Sequence, residues 1–570
     1  MFKFVSGAFL ILFIPTYTFA NVVEGWNDPG PRNVRPGPTI RIQQGLIRGE
    51  IEFYDIFRSH ISYKGIPYGQ APVGELRWRA PKPAQGWNGI RSGSLFGPNC
   101  PQIGSPIIGT RQMFVTHEDC LYINVFTPNE RNLRNLPVIF HIHMGGFHGE
   151  SGDGNLNSWK FFPNEGIIYV TFNYRLDVLG HLNTEDEHAT GNYALKDILL
   201  ALKWVQNNIE AFGGDKENVV LMGPSIGGVV VQALILSEHA RGLFHKAISM
   251  GGSLFQTFAI RPNPKERAES LARSLNINWT DSKDMVTQLR QVSSERLINA
   301  TFNFFPTQMP TLFVPRSFVP SIDAPSTDEI KILPQSPDIL VRNGTFNDVP
   351  LLVGFNSVES MTNMLFPDGI TRFNENPNLL IPDAWQIEAN SQEANEIING
   401  IRRVYFNGSD VIRPDMLWQW TQFCSDRELI FGVSKLIDFH YKRQPVYYYR
   451  FSYSGSLSFS QILFGLAQYP GATMFDDQMY LHRMNRFDLP VPRTDHAFIV
   501  RRRFIRMIRN FAFHGNPTPS REILLQNIRW PQVSDNLDFV DIGHDLVVGV
   551  HPFKDRMDMW RDFDRRFNKF

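Results

Sequence analysis

The chain has little cysteine, with three in 570 residues. So few thiols exclude a small scaffold held together by disulfides, and stability must come from a large apolar core, which a chain of this length is able to build. Cys100 and Cys120 enclose a short loop. We expect them to pair in an oxidising compartment, which stabilises the fold by about 3 kcal/mol in the chain-entropy model. Cys424 is left over, either as a buried thiol or as a partner for a second chain.

The chain also lacks a net charge, because its 56 basic residues are balanced by 56 acidic ones. This balance offers no electrostatic reason to expect binding to nucleic acid or to an acidic membrane. The basic run at 501–509 could suggest such a patch. Its apolar residues Phe504, Ile505 and Ile508, continued by Phe511, fit one helical face, which favours a surface helix packed on the core.

No Gly/Ser-rich or Pro-rich linker, low-complexity tract or repeat interrupts the sequence. Length alone would favour several domains, but the apolar content of 42% runs throughout the chain. We therefore predict one large domain with long insertions over residues 21–570. We expect neither a metal nor a cofactor.

Long hydrophobic runs are missing beyond the N-terminal segment. Residues 1–20 are predicted to be a signal peptide: Lys3 supplies the positive charge, Val5 to Ile14 form an apolar region too short to span a bilayer, and Ala20 ends a cleavage site. The charged residues 557–566 exclude a stop-transfer helix and a GPI signal at the C-terminus. The sequence therefore predicts a secreted, extracellular protein without a membrane anchor.

Four N-glycosylation acceptor sequences become usable if the chain is secreted. Because such sequences also occur by chance, we expect some of them, and not necessarily all, to carry glycans. Their asparagines are Asn278, Asn299, Asn343 and Asn407.

The most informative stretch is 219–236, in which an apolar run ends in Gly223-Pro224-Ser225-Ile226-Gly227 and a second apolar run follows. The pattern predicts a strand, a sharp turn and a helix. This arrangement is typical of a nucleophile elbow, which exposes a serine hydroxyl above the edge of a sheet and places the next backbone N–H where an oxyanion forms.

The surrounding pattern alternates strands with helices. Residues 39–49 suggest an N-terminal hairpin, and apolar residues recur at helical intervals from Leu195 to Ile209. Alternation of this kind predicts an α/β fold whose mostly parallel central sheet is covered by helices on both faces. Helical and loop insertions are expected at 278–343 and 367–444. Further buried strands are predicted at 136–143, 166–173, 247–252 and 349–354.

Several segments resemble, in the same order, the type-B carboxylesterase/cholinesterase-like family, and in particular its insect esterase branch. The similarity runs from about residue 39 to about residue 550 and implies an α/β-hydrolase fold. A lone Gly-x-Ser-x-Gly would be a weak signal, whereas this ordered set is specific. The segments are 63–78, 118–125, 136–148, 223–228 and 514–519.

The resemblance implies a role for several residues. Ser225 stands at the nucleophile position. The amides of Gly145, Gly146 and Ile226 match the oxyanion donors, and Glu359 matches the catalytic acid. Two positions depart from the family pattern, since Met144 replaces the first glycine of the oxyanion loop and Ser360 replaces a glycine after the acid.

The histidine of the family pattern is missing. Segment 471–481 resembles a family segment of the form Gly-x-x-His-x-Asp-Glu/Asp-x-x-Tyr, and Met474 occupies the histidine position. A thioether has no titratable proton and cannot act as a general base. Loss of this histidine costs about 10⁶ in kcat in a dissected serine triad, or roughly 8 kcal/mol, so we predict impaired catalysis with at most trace activity.

Three other histidines are considered as substitutes. His482 lies too far along a helix to replace Met474, whereas His143 and His148 flank the oxyanion loop and are expected to be structural. The elbow departs from the family pattern as well. Pro224 removes a carboxylate and a backbone donor, and Ile226 places a branched side chain where a small residue is usual.

Two functional hypotheses stay open. In the first, the protein is non-catalytic and binds a small apolar ligand or a protein partner. In the second, it is a working carboxylic-ester hydrolase that acts through Ser225 with an unrecognised base. A third possibility, an adhesion ectodomain, is weakened by the missing anchor. The aromatic residues Phe302, Phe304, Phe305 and Phe313 either line an acyl pocket, as the family's gorge suggests, or pack in the core.

Overall fold

The computed structural model describes residues 34–53, 58–102, 116–130, 133–154, 158–302, 318–365, 369–482 and 491–568. The predicted signal peptide lies outside the described residues, and so do Phe304, Phe305 and Phe313.

A 13-stranded sheet forms the centre of the structure, and a small two-stranded ribbon, β8–β9, lies apart from it. The strands are β1 Val34–Ile42, β2 Gly45–Phe53, β3 Ser59–Pro67, β4 Ile90–Ser92, β5 Tyr122–Pro128, β6 Leu136–His141, β7 Ile168–Phe172, β8 Asn183–Asp186, β9 Ala189–Thr190, β10 Gly214–Pro224, β11 Lys246–Met250, β12 Leu351–Asn356, β13 Val446–Phe451, β14 Phe539–Ile542 and β15 Leu546–Gly549.

The order across the large sheet is β1-β2-β3-β5-β7-β6-β10-β11-β12-β13-β14-β15, with β4 beside β2. Neighbouring strands are parallel from β7 to β14. They are antiparallel at both margins, where β1, β2, β3, β5 and β7 form one set and β14–β15 the other. The predicted mostly parallel sheet and the N-terminal hairpin are confirmed.

The helices are α1 Asp177–His181, α2 Tyr193–Asn208, α3 Ile226–Ile235, α4 Pro264–Ser274, α5 Ser282–Arg290, α6 Ser294–Phe302, α7 Pro337–Arg342, α8 Gly369–Glu375, α9 Gln392–Phe406, α10 Leu417–Ser425, α11 Phe431–His440, α12 Phe459–Phe464, α13 Asp476–Leu481, α14 His496–His514 and α15 Lys554–Phe567. The predicted insertions contain α5 to α7 and α8 to α11. A π-helical turn, Asp426–Ile430, joins α10 to α11.

The two faces of the sheet bury two different apolar clusters. On β10, Val219 and Leu221 belong to one cluster, while Val220 and Met222 belong to the other. This alternation follows from the period of two in a strand. Residues of α2 and α3 pack in the first cluster, and the apolar face of the basic helix α14 packs in the second. The prediction of a packed surface helix at 501–511 is therefore confirmed.

The predicted disulfide between Cys100 and Cys120 is formed, and Cys424 is a buried free thiol. The asparagine of each N-glycosylation sequence is exposed to solvent: Asn278, Asn299, Asn343 and Asn407. Within the described ranges, no helix has both the length and the apolar composition needed to cross a membrane.

Candidate active site

Ser225 lies in a sharp turn between β10 and α3. Its backbone has φ 52° and ψ −122°, a left-handed conformation that a residue with a Cβ rarely adopts. The turn has no room for side chains at its glycines, since a Cβ at Gly223 would lie 2.2 Å from the carbonyl carbon of Gly227, and a Cβ at Gly227 would lie 2.3 Å from Ile142 O. The sequence pattern is therefore a true strand–turn–helix elbow.

Backbone hydrogen bonds hold the elbow on the sheet. The Ser225 amide donates to Met250 O at 2.7 Å, and Ser225 O accepts from the Gly228 amide at 2.8 Å. Pro224 is the last residue of β10 and lies beyond Met222, the last residue that pairs with β6, so a missing N–H is tolerated there. The half-buried Ser225 hydroxyl has no hydrogen-bond partner among the described residues.

The predicted oxyanion donors lie on a tight glycine turn and at the start of α3. Gly145 and Gly146 have φ values of 112° and 64°. A Cβ at Gly145 would lie 2.1 Å from Gly149 O, so this position requires glycine. Within the described part of the chain, the amides of Gly145, Gly146 and Ile226 donate to no other protein group. All three therefore stay available for a ligand oxygen.

Met144, which replaces a family glycine, does not displace this turn. Its side chain is 1% exposed, and its carbonyl oxygen accepts a hydrogen bond from His143 Nδ1 at 2.8 Å. The His143 ring stacks on Tyr174, with 4.1 Å between the ring centroids, and Tyr174 donates through its hydroxyl to His143 O at 2.8 Å. The methionine side chain is packed in the interior while its backbone completes the loop.

Glu359 follows the end of β12 and is fully buried. Its Oε1 accepts from the Asn356 amide at 2.7 Å and from Asn356 Nδ2 at 3.3 Å. The sheet brings the acid toward the elbow, since a Cβ at Gly251, next to β11, would lie 3.2 Å from Glu359 Oε1. Ser360, which replaces a family glycine, donates through its amide to Ser425 Oγ at 2.9 Å.

The structure places Met474 directly beside Glu359. The Met474 amide donates to Glu359 O at 3.3 Å, and Thr473 Oγ1 donates to the same oxygen at 3.1 Å. Met474 is 7% exposed and precedes α13. The tertiary structure therefore brings the predicted acid and the predicted base position together, although the residue at the base position is a thioether.

The buried carboxyl groups of Glu359, Asp476 and Asp477 lie close together here, and none of them has a basic hydrogen-bond partner in the described part of the chain. Burial, followed by the charge of Asp477, raises the pKa of Glu359 to about 8, against the lowering effect of the Asn356 N–H groups. Burial also raises the pKa of Asp476 to about 8 and raises the pKa of Asp477. Near neutral pH, Glu359 is therefore mainly a neutral acid, whereas the acid of a serine triad is ionised.

Within the described residues, no histidine side chain forms a hydrogen bond or an ion pair with Glu359 or Ser225. His482 Nδ1 lies 3.0 Å from Ser158 O, and its ring packs against His141, Phe162 and Tyr169. Burial lowers the pKa of both His143 and His482 to about 4, so both rings are neutral near pH 7. The contacts of His143 agree with the structural role expected for it. His482, which was expected to lie too far from Met474 to replace it, is held by Ser158 and its aromatic neighbours.

His148 has a carboxylate neighbour that the sequence patterns did not indicate. Its Nδ1 lies 2.5 Å from Gly146 O, and its Nε2 lies 3.8 Å from Asp177 Oδ1. Both ring nitrogens therefore face groups other than Ser225. Asp177 was not identified from the sequence because it is brought to the oxyanion loop only by the fold.

Known proteins are similar to this chain over most of its length. The model of the Carboxylesterase family matches residues 36–560. Juvenile hormone esterase from Tribolium castaneum is 28% identical over 572 residues, which cover 96% of this chain and 94% of that protein. Esterase E4 from Myzus persicae is 31% identical over 522 residues, which cover 88% of this chain and 89% of that protein. A crystal structure of juvenile hormone esterase from Manduca sexta, with OTFP covalently attached, matches with a TM-score of 0.80 and 27% identity, covering 93% of this chain and 100% of that one.

Proposed function

The chain belongs to the carboxylesterase family, and on that premise we propose that it is a secreted, glycosylated protein that binds a small apolar ligand in the family's ester cleft without efficient hydrolysis. The observation that carries the proposal is the neighbourhood of Glu359. There the main chain of Met474 and the hydroxyl of Thr473 supply the hydrogen bonds. Among the described residues, no histidine ring makes a contact that links Glu359 to Ser225.

The chemistry of acyl transfer supports this reading. A serine hydroxyl is a weak nucleophile until an adjacent base accepts its proton. Met474 cannot accept that proton, and a protonated Glu359 offers no negative charge to stabilise an imidazolium. Oxyanion donors and substrate-binding energy alone leave a rate enhancement of roughly 10³ to 10⁴ over the reaction in water, which is far below that of an ordinary esterase.

The parts of the site that bind a carbonyl group are retained. Gly145, Gly146 and Ile226 keep three backbone N–H groups available for a ligand oxygen. Free backbone N–H groups of this kind suit a carbonyl or ester oxygen, so we propose an apolar molecule that carries one as the ligand class. Because two of the similar proteins are juvenile hormone esterases, juvenile hormone is the first ligand to test.

Secretion and glycosylation are supported by independent features. The N-terminal segment has the composition of a signal peptide, Cys100 and Cys120 form a disulfide, and all four acceptor asparagines are exposed. We expect the secreted protein to begin at Asn21. N-terminal sequencing of the secreted protein tests this expectation.

A second candidate function is an active carboxylic-ester hydrolase that acts through Ser225. The strained φ of 52° at Ser225 favours it, since strain of this kind is typical of a reacting nucleophile. This function requires a base other than His143, His148 or His482. The ring nitrogens of these histidines contact Met144 O, Gly146 O and Asp177, and Ser158 O, respectively, and within the described residues none of the three rings forms a hydrogen bond with Ser225.

One assay separates the two functions. Purified protein and its Ser225→Ala variant are incubated with a short-chain nitrophenyl ester and with an organophosphate serine probe. We expect no Ser225-dependent turnover beyond a trace and little labelling. Turnover at ordinary esterase rates that disappears in Ser225→Ala would contradict the non-catalytic proposal.

Calorimetric titration tests the binding half of the proposal. We expect juvenile hormone, or a simple alkyl ester, to bind wild type and Ser225→Ala equally, because binding does not need the hydroxyl to react. If neither variant binds any apolar ester, a protein partner becomes the favoured ligand class.

A further inference from the structure

Hydrogen bonds fix each peptide plane in the glycine turn. A trans peptide is planar, so holding a carbonyl oxygen also sets the direction of the N–H on the opposite side of that plane. Holding Met144 O orients the Gly145 N–H, and holding Gly145 O orients the Gly146 N–H. Met144 O accepts a hydrogen bond from His143 Nδ1 at 2.8 Å, and Gly145 O accepts from the amides of His148 at 3.0 Å and Gly149 at 3.1 Å. Gly146 O accepts from His148 Nδ1 at 2.5 Å. Phe147 O accepts from the Asp177 amide at 2.7 Å.

His148 contributes to this turn with both its backbone and its ring. Because a carbonyl oxygen only accepts, Nδ1 carries the proton that it shares with Gly146 O. The opposite nitrogen, Nε2, faces the carboxylate of Asp177 across 3.8 Å. Both residues are buried, and a separation of 3.8 Å is an ion-pair distance when Nε2 also carries a proton, so an imidazolium at His148 is held from both sides.

Asp177 is strained, and its contacts offset the strain. It has φ 50°, a conformation that favours glycine. Its amide donates to Phe147 O, Oδ1 accepts from the Val178 amide at 2.7 Å, and Oδ2 accepts from Thr301 Oγ1 at 2.8 Å. One residue therefore joins the glycine turn, through its amide, to the start of α1 and to α6, through its carboxylate. An aspartate at a position suited to glycine points to a role for the carboxylate.

We propose that His148 and Asp177 form a positioning pair that holds the end of the glycine turn. The His148 ring holds Gly146 O and the Asp177 amide holds Phe147 O, so the peptide planes that follow Gly146 are fixed. This restricts the rotation of Gly146, which would otherwise disturb the turn that presents the Gly145 and Gly146 amides to a ligand oxygen. Gly146 has no side chain to limit its rotation, and the His148 ring limits it instead. The pair supports the turn that carries Met144 where the family has glycine. The inference applies whether or not Ser225 turns over an ester, so it goes beyond the proposed function.

The first test uses variants at His148. His148→Asn places an amide nitrogen where Nδ1 stands and keeps the donor to Gly146 O, whereas His148→Ala removes it. Hydrogen exchange in the full chain is followed by mass spectrometry on peptides covering 144–149. We expect exchange about tenfold faster in His148→Ala, since one lost hydrogen bond is worth about one decade, and exchange near the wild-type rate in His148→Asn.

The second test uses Asp177→Gly, which relieves the backbone strain but removes the carboxylate. If Asp177 were only a structural residue, this change would lower the unfolding midpoint through the lost bonds from Val178 and Thr301, and exchange at 144–149 would change no more than in the rest of the chain. The positioning role instead predicts faster exchange at 144–149 than in the rest of the chain.

A ligand pair tests the consequence for recognition. Octanoate places an anionic oxygen at the donors, whereas 1-octanol has the same chain and needs no such set of amides. We expect His148→Ala and Asp177→Gly to weaken octanoate binding about tenfold relative to octanol, and His148→Asn to retain the wild-type ratio.

Unchanged exchange at 144–149 in both His148→Ala and Asp177→Gly would overturn the proposal. The exchange measurement needs no ligand, so it decides the question even if the cleft binds neither compound. Absence of binding by the wild type would count against the proposed function instead.

Discussion

The backbone amide of Met474 donates a hydrogen bond to the carbonyl oxygen of Glu359 across 3.3 Å. The segment before α13 is therefore attached to the main chain of the predicted acid, in the place where the family resemblance puts a base. Met474 is 7% exposed and is hydrogen-bonded through its main chain to a residue whose carboxyl group is buried. This relationship determines what substitution at Met474 should do.

Met474→His is expected to raise kcat for a short-chain nitrophenyl ester by about 10²-fold or more, because a positioned general base typically contributes 10² to 10⁴. The imidazolium that forms would also favour ionisation of Glu359. Met474→Gln is the matched control, since it is polar but cannot titrate. Equal activity of the histidine and glutamine variants would contradict the idea that position 474 lacks only a base.

The pH dependence of stability should reveal the proton on Glu359. The pKa of this carboxyl moves from an ordinary value of 4.5 to about 8 in the folded protein. Between these values the folded state binds one more proton than the unfolded state, so the free energy of unfolding falls as pH rises and levels off above about 8. The slope reaches at most about 1.4 kcal/mol per pH unit for this group.

Glu359→Gln removes this titration and should flatten the stability profile between about pH 5 and about pH 8, as measured by urea unfolding. Asp476, whose pKa is also raised to about 8, should leave a residual slope of the same sign. The exposed Glu388→Gln variant is the control. A profile for Glu359→Gln as steep as that of the wild type would show that Glu359 is ionised in the folded protein.

Removal of the disulfide should destabilise the fold without changing the cleft. The double variant Cys100→Ala/Cys120→Ala is expected to lose about 3 kcal/mol of unfolding free energy, because the unfolded chain gains conformational freedom. Cys424→Ala, which removes a buried thiol and breaks no cross-link, should cost less, about 1 kcal/mol. Denaturant unfolding measures both, and an equal loss in the two variants would argue against the cross-link as the stabilising element.

The exposed sequons should carry N-linked glycans when the protein is expressed through a secretory pathway. We expect glycopeptides at some or all of Asn278, Asn299, Asn343 and Asn407, because each asparagine reaches solvent. Peptide mass spectrometry before and after enzymatic deglycosylation detects them, and single Asn→Gln variants assign them. Unmodified asparagines at all of these positions in secreted protein would refute the prediction.

Much of the fold was predictable because it follows from local patterns. The apolar run before Gly223, the serine turn and the apolar run after it predict β10, the elbow and α3, since each depends on neighbours in the chain. The apolar face of α14 was readable for the same reason. The antiparallel margin around β5 and β7 was not, because strand direction depends on long-range pairing.

For the candidate site, the sequence by itself determined the residue types: a serine in an elbow, a glycine turn, and a methionine where the resemblance places a histidine. Only the tertiary structure decided which of them meet. Burial beside Asp477 raised the pKa of Glu359, and the approach of Asp177 to His148 joined two segments that no motif connects. Such contacts depend on how the sheet places distant loops, and a single sequence carries no local signal of that placement.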